Sequence, residues 1–537
     1  MKKFASLFLV LMMAVGLISG CGNSANNEPA ASTAPASEAP ATSEAAKPAE
    51  SAPAASPEAP AADAKYKEDI IIGMSGKIIS VDPQTESNTQ HNYMFRMVFD
   101  TPLDFNNQTL ELEPNIATEW SSNEDATIYT LKLRDDVYFH NGEKMTANDF
   151  VFTYDRAPGT NSSSTLGNMI EYTKAVDDYT VEIKLHKANV DFPYLLTLPT
   201  SSIINEKACN EDELEGPGIG TGPFKIDSYE FGNYFKVVRN EEFWGEVTPT
   251  KSINLRYIPE NSPRLIALQT GEIDVCQDPD TLELAHIEDT PGLELQSYMG
   301  SSITYVAMNY KKGPFTNQDF RLAVCYGIDA EEIMDVVRDG RAEKCLSLWG
   351  WNEYGYNGGT TNYEYDPVKA KEYVDKAYPN GGASFKLSIS SGDRKAIGEL
   401  MQAQLKQIGI EVELVEFDTA GLSKSTTAGE HDACIYGCGM NIFGDDIRRL
   451  ICPGTGVNKS HYDHERVNEL MDLAVAETDD ATRKAYYEEV QQICFEDGAY
   501  MPIYFSEGFF GVKEGVSGID YYPTSHHDFS EIVMVEK

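Results

Sequence analysis

Positive charge is scarce in this chain. Its 537 residues include 43 Lys and Arg against 85 Asp and Glu, which gives a formal net charge of -42 at pH 7. Affinity for nucleic acid and for anionic lipid headgroups depends largely on Lys and Arg that displace counterions from phosphate groups. Neither is therefore an expected partner of the folded protein. Hydrophobic residues make up 41% of the chain, which is enough for a substantial core.

Signatures of catalysis and of metal binding are also lacking. The serine hydrolase pattern Gly-x-Ser-x-Gly does not occur. His464 begins a segment like the helix of zinc proteases, but Asn468 stands where the second zinc ligand is required. Lys77 follows a glycine, as in a phosphate-binding loop, but Ile78 replaces the required hydroxyl residue. The sequence therefore predicts no catalytic residues, no metal site and no cofactor, which argues against an enzyme.

The first twenty residues have the pattern of an export signal. Lys2 and Lys3 precede an apolar run at residues 4–18, which is too short for a comfortable transmembrane helix. Residues 17–20 and Cys21 resemble the lipobox of bacterial lipoproteins, in which the cysteine receives a diacylglyceryl group and becomes the new N-terminus. The alternative is an ordinary secretory signal before a cysteine without a special role. We expect lipidation at Cys21, because the cysteine lies directly where cleavage is expected and a disordered tether follows it. Two acyl chains would then hold the mature protein stably at the extracellular face of the cytoplasmic membrane.

Residues 22–64 have the composition of a linker. Of these 43 residues, 17 are Ala, 7 are Pro and 6 are Ser, and none is aromatic, Val, Leu or Ile. Such a segment has nothing to bury and cannot offset its own conformational entropy. We expect a disordered tether and then a folded body over residues 65–537. The eight cysteines of this body, between Cys209 and Cys494, show no metal-binding spacing, and whether they form disulfide bonds stays open.

Local patterns in the body predict mixed α/β structure. Residues 127–134 alternate between apolar and polar, which predicts a strand, and Thr146 with Asp149 forms the signature of a capping box. Residues 385–390 and 410–417 alternate in the same way. The helical spacing of the residues between them predicts a βαβ unit with parallel strands. Further helices are predicted from Pro367 behind the capping residue Asp366, at residues 464–476 and at residues 479–495.

Eight segments of the body carry recognisable motifs in a fixed order and spacing. They are residues 112–120, 129–134, 137–142, 146–149, 220–225, 239–245, 264–274, and 320–323 with 328–329. Together they resemble the family 5 solute-binding proteins of bacterial ABC importers, which include oligopeptide, dipeptide and nickel receptors. The resemblance covers nearly the whole body. It agrees with the lipobox and the linker, which such a receptor needs in a cell without an outer membrane.

The resemblance implies an α/β fold with two lobes, the type II architecture of periplasmic binding proteins. Lobe I is expected to comprise residues 65–308 and 506–537, with an extra subdomain at about 110–215. Lobe II is expected to comprise residues 309–505.

Two crossings between the lobes then form a hinge. They lie near residues 304–309 and 501–505, which both have strand-like patterns. Rigid lobes that move about two short strands close at little local cost, and ligand contacts in the cleft shift the population toward the closed form.

The resemblance also implies a function. The protein is expected to capture an extracellular solute, most simply a peptide, and to deliver it to a membrane permease coupled to cytoplasmic ATPases. Relatives that take peptides hold the backbone by strand-like hydrogen bonds and set a lobe II aspartate against the ligand ammonium. The matching stretch here contains Asp445, the first candidate, and Asp446. A charge-assisted bond of this kind contributes roughly 1.5 to 3 kcal/mol.

Other candidate ligand-binding residues are predicted from their positions. They are Tyr436, Gly437, Cys438, Gly439 and Asn441 in the same stretch, Trp349 and Trp351 in a Gly-rich aromatic stretch, and Ser75 and Lys77 after the first strand. Packing in the core is an equally good interpretation of the two tryptophans. Cys438 stands where peptide receptors often carry a tryptophan, so other solutes stay open as alternatives.

Two alternative functions follow from the same residues. A receptor for nickel complexes or another small solute would require His461, His464, His526 or His527 to converge in the cleft. His526 and His527 are otherwise expected to be solvated surface residues near the C-terminus. An extracellular peptide hydrolase is the alternative of a different class, and turnover of peptides rather than stoichiometric retention would distinguish it.

Overall fold

The computed structural model of the protein describes residues 65–86 and 88–536. The export signal, Cys21 and the linker, all predicted from the sequence, lie outside the described residues. The strands, in chain order, are β1 (Asp69–Met74), β2 (Leu103–Phe105), β3 (Leu112–Pro114), β4 (Ala117–Ser122), β5 (Ile128–Leu133), β6 (Ile170–Asp177), β7 (Thr180–Leu185), β8 (Phe224–Glu230), β9 (Tyr234–Arg239), β10 (Ser252–Tyr257), β11 (Val275–Gln277), β12 (Leu293–Met308), β13 (Ala342–Lys344), β14 (Ser384–Ile389), β15 (Glu411–Glu416), β16 (Ala433–Gly439), β17 (Tyr500–Lys513), β18 (Val516–Ser517) and β19 (Val533–Met534). The α-helices, in chain order, are α1 (Thr89–Val98), α2 (Ala147–Arg156), α3 (Ser164–Met169), α4 (Phe192–Leu195), α5 (Glu206–Glu211), α6 (Asn261–Thr270), α7 (Leu284–Glu288), α8 (Gln318–Gly327), α9 (Ala330–Arg338), α10 (Pro367–Ala377), α11 (Asp393–Gln407), α12 (Thr419–Thr427), α13 (Arg448–Ile451), α14 (Glu465–Ala476) and α15 (Asp480–Asp497).

The predicted βαβ unit is confirmed. β14 and β15 are parallel, with Ser384 opposite Glu411, and α11 connects them. Ile397 and Met401 on α11 are fully buried in the same hydrophobic cluster as the apolar side chains of these strands. Gly409 follows the helix with a φ of 88°, in the left-handed region that favours glycine, and this conformation lets the chain turn into β15.

The predicted helix starts are also confirmed. Thr146 and Asp149 form the capping box of α2, in which the Thr146 backbone N–H donates to Asp149 Oδ2 at 2.9 Å. Asp366 caps α10, and its Oδ1 accepts from the backbone N–H of Lys369 at 2.9 Å. α14 and α15 lie where helical spacing predicted them. In each case side chains close in sequence satisfy the first free N–H groups of a helix.

One large mixed sheet runs through the molecule. Its strand order is β15-β14-β16-β12-β17-β11-β1-β10-β9-β8, and β13 also pairs with β17. β12 and β17 form a long antiparallel pair at its centre, from Leu293 opposite Lys513 to Ala307 opposite Tyr500. The segments predicted as hinge crossings lie in this pair, so their strand character is confirmed. Their role as a hinge stays a prediction.

A separate antiparallel sheet lies within residues 117–185. Its order is β4-β5-β7-β6, and the predicted alternation in β5 is confirmed, because Tyr129, Leu131 and Leu133 are all buried. These side chains share one hydrophobic cluster with residues of α2, among them Phe150. This part of the chain therefore builds a core of its own.

Different hydrophobic clusters cover the two ends of the large sheet. Ile72 of β1 and Phe95 of α1 belong to one cluster, whereas Leu387 of β14 and Ile435 of β16 belong to another. The lobe boundaries predicted from the sequence stay predictions. The eight cysteines between Cys209 and Cys494 are free thiols. No helix in the described part of the chain has the length and apolar composition needed to cross a membrane.

Candidate ligand-binding site

A cavity of about 490 Å³ lies where segments far apart in the sequence meet. Most of its walls are polar side chains, and they belong to segments that the sequence assigned to both lobes. The lining residues are Asn88, Thr89, Asn92, Ser162, Leu198, Pro199, Thr200, Ser302, Gly439, Met440, Asn441, Arg449, Thr524, Ser525 and His526.

A second cavity, of about 360 Å³, lies among segments assigned to lobe I alone. Its walls include the acidic side chains of Asp100, Asp104, Asp520 and Asp528. Pro199 lines both cavities. Because only the larger cavity joins the two predicted lobes, it is the candidate ligand-binding site.

The start of α1 forms one wall of this candidate site. Asn88 is the N-cap residue, and its Oδ1 accepts from the backbone N–H of His91 at 3.0 Å. Thr89 and Asn92 follow on the first turn and also line the cavity. The free N–H groups of a helix start carry partial positive charge, so this wall favours hydrogen-bond acceptors and negative charge.

The end of β16 forms the opposite wall. β16 is antiparallel to β12, and Gly439 lies opposite Ser302 where both residues line the cavity. On its other side β16 pairs with β14 only at Ala433 and Cys434. Within the described residues, the backbone from Ile435 to Gly439 therefore has no strand partner on that side.

Arg449 contributes a guanidinium to the cavity. Its Nε and Nη2 donate to Asp446 Oδ2 at 3.1 and 2.8 Å, and Nη2 also donates to the carbonyl of Gly439. Asn441 completes the group, because its backbone N–H and its Nδ2 each donate to Asp446 at 2.9 Å. Asp446 is buried behind Arg449 and Asn441. The cavity thus meets Arg449 and Asn441 rather than a carboxylate.

Asp445 is likewise paired with an arginine. Its Oδ1 accepts from Arg448 Nε at 2.7 Å, and its backbone N–H donates to Asp191 Oδ2 at 3.1 Å. Burial raises the pKa of Asp445 to about 6, although Arg448 opposes the shift. The prediction that Asp445 or Asp446 holds a ligand ammonium is not tested by this geometry. Neither carboxylate lines the cavity.

The other predicted residues fall into two groups. Gly439 and Asn441 line the cavity, whereas Tyr436, Gly437 and Cys438 lie before them on β16 without lining it. Among the rest, Trp349 is 1% exposed and packs edge-on against Tyr487, with ring centroids 6.4 Å apart, which fits core packing. Trp351 is 38% exposed.

The two predicted residues that follow β1 lie outside the cavity wall. Ser75 hydrogen-bonds through its backbone N–H and its Oγ to Gln277 Oε1, at 2.9 and 3.0 Å. Lys77 is exposed. Gln90, next to Thr89 on α1, donates weakly to Ser75 Oγ at 3.4 Å.

The four histidines of the nickel alternative do not converge. His526 lines the cavity, but His527 is fully buried and stacks on Tyr93 with ring centroids 5.5 Å apart. The expectation that His527 is a solvated surface residue is therefore wrong. His461 donates from Nε2 to the carbonyl of Thr426 at 3.0 Å, and His464 caps α14. No group of three or more His, Cys, Asp or Glu suited to a metal ion occurs within residues 65–86 and 88–536.

Sequence reasoning missed several residues of the cavity. Arg449 follows the predicted acids by only a few positions, and its spacing of three from Asp446 on a helical turn is the signal that could have identified it. Asn88 and Thr89 have the signature of a helix start, which suits an acceptor site. Ser302 and Thr524 carry no local signal, because only the packing of remote segments brings them to the cavity.

Comparisons with known proteins agree with this architecture. Residues 111–450 match the model of the bacterial extracellular solute-binding proteins, family 5 middle region. Heme-binding protein A of Haemophilus influenzae is 26% identical over 478 residues, which cover 82% of this chain and 87% of that protein. The dipeptide-binding protein of Escherichia coli K12 is 24% identical over 484 residues, covering 83% and 90%.

The solved structures agree as well. One is the periplasmic binding protein DppA of Helicobacter pylori in complex with the peptide STSA, which superimposes with a TM-score of 0.73 at 25% identity. The match covers 88% of this chain and 99% of that one. The type II periplasmic-binding-protein fold expected from the sequence is therefore confirmed.

Proposed function

The chain belongs to family 5 of the bacterial extracellular solute-binding proteins, and from that premise we propose that it is the substrate-binding receptor of an ABC importer for peptides. It binds its cargo in the cavity between β16 and α1 and hands it unchanged to a membrane permease. Catalytic groups play no part in this cycle.

The open edge of β16 is the observation that supports a peptide best. From Ile435 to Gly439, alternate residues turn their backbone N–H and C=O groups toward the side on which β14 no longer pairs, because the other residues pair with β12. An extended peptide that adds to a strand edge satisfies such groups without regard to its side chains. Each net hydrogen bond contributes about 0.5 to 1.5 kcal/mol, and micromolar capture needs about 8 kcal/mol in total. Several backbone bonds together with polar contacts in the cavity are sufficient.

Closure around the peptide takes place at the paired strands β12 and β17. A register shift lies between Thr304 and Tyr305, inside the segment predicted as one crossing. Such irregularities disrupt the ladder locally and allow a strand to bend. The predicted lobes, residues 65–308 with 506–537 and residues 309–505, then move as bodies about this pair.

The mature protein is held at the extracellular face of the cytoplasmic membrane by lipid on Cys21. Its partners are the permease subunits and their cytoplasmic ATPases. In the native host, wild-type protein should partition into the detergent phase of a phase-separating detergent, and Cys21→Ser should partition into the aqueous phase. Identical partitioning of the two proteins would contradict the anchor.

Native mass spectrometry of protein purified without unfolding tests the function. The expected result is a stoichiometric adduct with the mass of a peptide, which is released unchanged on denaturation and exchanges for added peptide. Cleavage of added peptides would support the hydrolase alternative. A thermal shift with nickel chelates but with no peptide would support the nickel alternative.

A further inference from the structure

The charge around the 490 Å³ cavity is opposite to that of the protein as a whole. The chain carries a net charge of -42, yet none of the residues that line this cavity is Asp or Glu. Arg449 contributes a guanidinium that is 29% exposed. His526 contributes no charge at neutral pH, because burial lowers its pKa to about 3. A ligand in this cavity therefore meets neutral hydrogen-bonding groups and one cation.

The nearest acids are held away from the ligand. Asp446 bonds to Arg449 and to both N–H groups of Asn441, and it is 7% exposed. Asp445 pairs with Arg448. A peptide ammonium would have to displace an arginine from one of these carboxylates and leave Arg448 or Arg449, which are 27% and 29% exposed, without its partner, which is unfavourable.

Groups that can bind a carboxylate are available. Arg449 bonds to Asp446 and to the carbonyl of Gly439 through Nε and Nη2 and also contacts Cys438, but its guanidinium is 29% exposed, so part of it stays accessible to a ligand. Thr89 and Asn92 on the first turn of α1 face the same cavity. Arginine and free helix N–H groups are both suited to planar anionic groups.

From this geometry, and resting on the proposed peptide function, we infer that the cavity binds the carboxylate end of its ligand at Arg449 and provides no carboxylate for an ammonium. The chemical class is a peptide, or a peptide-like acid, whose amino group is acylated or absent. Free peptides bind less well because the charge of their ammonium loses water without gaining a partner.

Three model peptides test the need for a free carboxylate separately from the effect of the ammonium. They are alanyl-alanyl-alanine, its N-acetyl derivative and its C-terminal amide. In isothermal titration calorimetry on the intact exported protein, we expect the acetylated peptide to bind at least as tightly as the free peptide. The amide should bind at least about 10-fold more weakly than the free acid, since it loses a charge-assisted hydrogen bond. In Arg449→Gln, the difference between acid and amide should disappear.

Arg466→Gln is the matched control, because Arg466 is a surface arginine that pairs with Glu469 and Glu489 far from the cavity. It should keep the discrimination between acid and amide.

Acetylation that weakens binding 10-fold or more would overturn the inference but would leave the proposed peptide-receptor function unaffected. If that loss is reproduced by Asp520→Asn, the ammonium lies in the acidic second cavity. If none of the three peptides binds and native mass spectra show a retained non-peptide solute, both the proposed function and this inference are contradicted.

Discussion

Arg483 of α15 and Asp191, just before α4, form a buried ion pair across 292 positions of the chain. Arg483 Nη2 lies 2.5 Å from Asp191 Oδ1, and the two side chains are 9% and 1% exposed. Asp191 Oδ2 also accepts from the backbone N–H of Asp445. Since the sequence assigns Asp191 to lobe I and Arg483 to lobe II, this pair joins the two predicted lobes in this structure.

Removing the arginine is expected to open the protein. Arg483→Met leaves Asp191 buried without a counter-charge in the closed form, whereas an open form hydrates the carboxylate. Breaking a buried pair in this way typically costs about 3 to 5 kcal/mol, which is enough to shift a two-state closure. Small-angle X-ray scattering of the ligand-free variant should give a larger radius of gyration than the wild type.

Arg466→Met, which removes an exposed ion pair, is the control and should leave the scattering profile unchanged. A variant Arg483→Met with lower thermal stability but an unchanged radius of gyration would show that the pair stabilises the fold without holding the lobes closed.

A glycine that packs against the end of α1 is required by the close approach of the backbone. A Cβ at Gly220 would lie 2.0 Å from the carbonyl oxygen of Val98, which is backbone at the end of α1 and cannot rotate away. Gly220→Ala should therefore lower the free energy of unfolding by about 1 to 3 kcal/mol or more, as measured by urea denaturation. Gly159→Ala, where no atom lies within 4 Å of the new Cβ, should be close to neutral. Equal effects of the two substitutions would contradict this interpretation.

The pH dependence of stability reports on Asp445. Its pKa is raised to about 6 in the folded protein from an ordinary value of 3.8, mainly by burial. Such a group stabilises the fold below about pH 3.8, and that contribution is lost as the pH rises through about 6. Asp445→Asn cannot ionise, so the variant does not lose this stabilising contribution as the pH rises. Relative to the wild type, the variant should therefore gain up to about 2 kcal/mol of unfolding free energy between pH 4 and pH 7.

Asp472→Asn provides the comparison, because Asp472 pairs with the same Arg448 but is 76% exposed. Its effect on the free energy of unfolding should stay below about 1 kcal/mol at every pH. Parallel stability curves for Asp445→Asn and the wild type would show that Asp445 titrates normally.

The proposed hinge makes a prediction about ligand-dependent shape. A peptide that binds in the cavity should reduce the radius of gyration, because closure brings the predicted lobes together at β12 and β17. Scattering profiles that are identical with and without a bound peptide would exclude a hinge at this strand pair.

Much of the local structure followed from the sequence. The capping box at Thr146, the cap at Asp366 and the βαβ unit around α11 all depend on side chains within a few positions of one another. The residues of the candidate site were less predictable from the sequence. Of the residues predicted for ligand binding, Gly439 and Asn441 line the cavity, whereas the lining residues Asn92, Ser302 and Thr524 had no local signal.

The sequence by itself predicted an export signal and a linker, and it determined several individual strands and helices and membership of the family, because each depends on composition or on spacing between near neighbours. Tertiary structure alone decided which groups face the cavity. Asp445 and Asp446 are close in sequence to Asn441, but packing turns both carboxylates toward arginines and turns the amide and Arg449 toward the ligand space. A buried charge is stable only beside its partner, and the folded path of the chain determines which partner each charge meets.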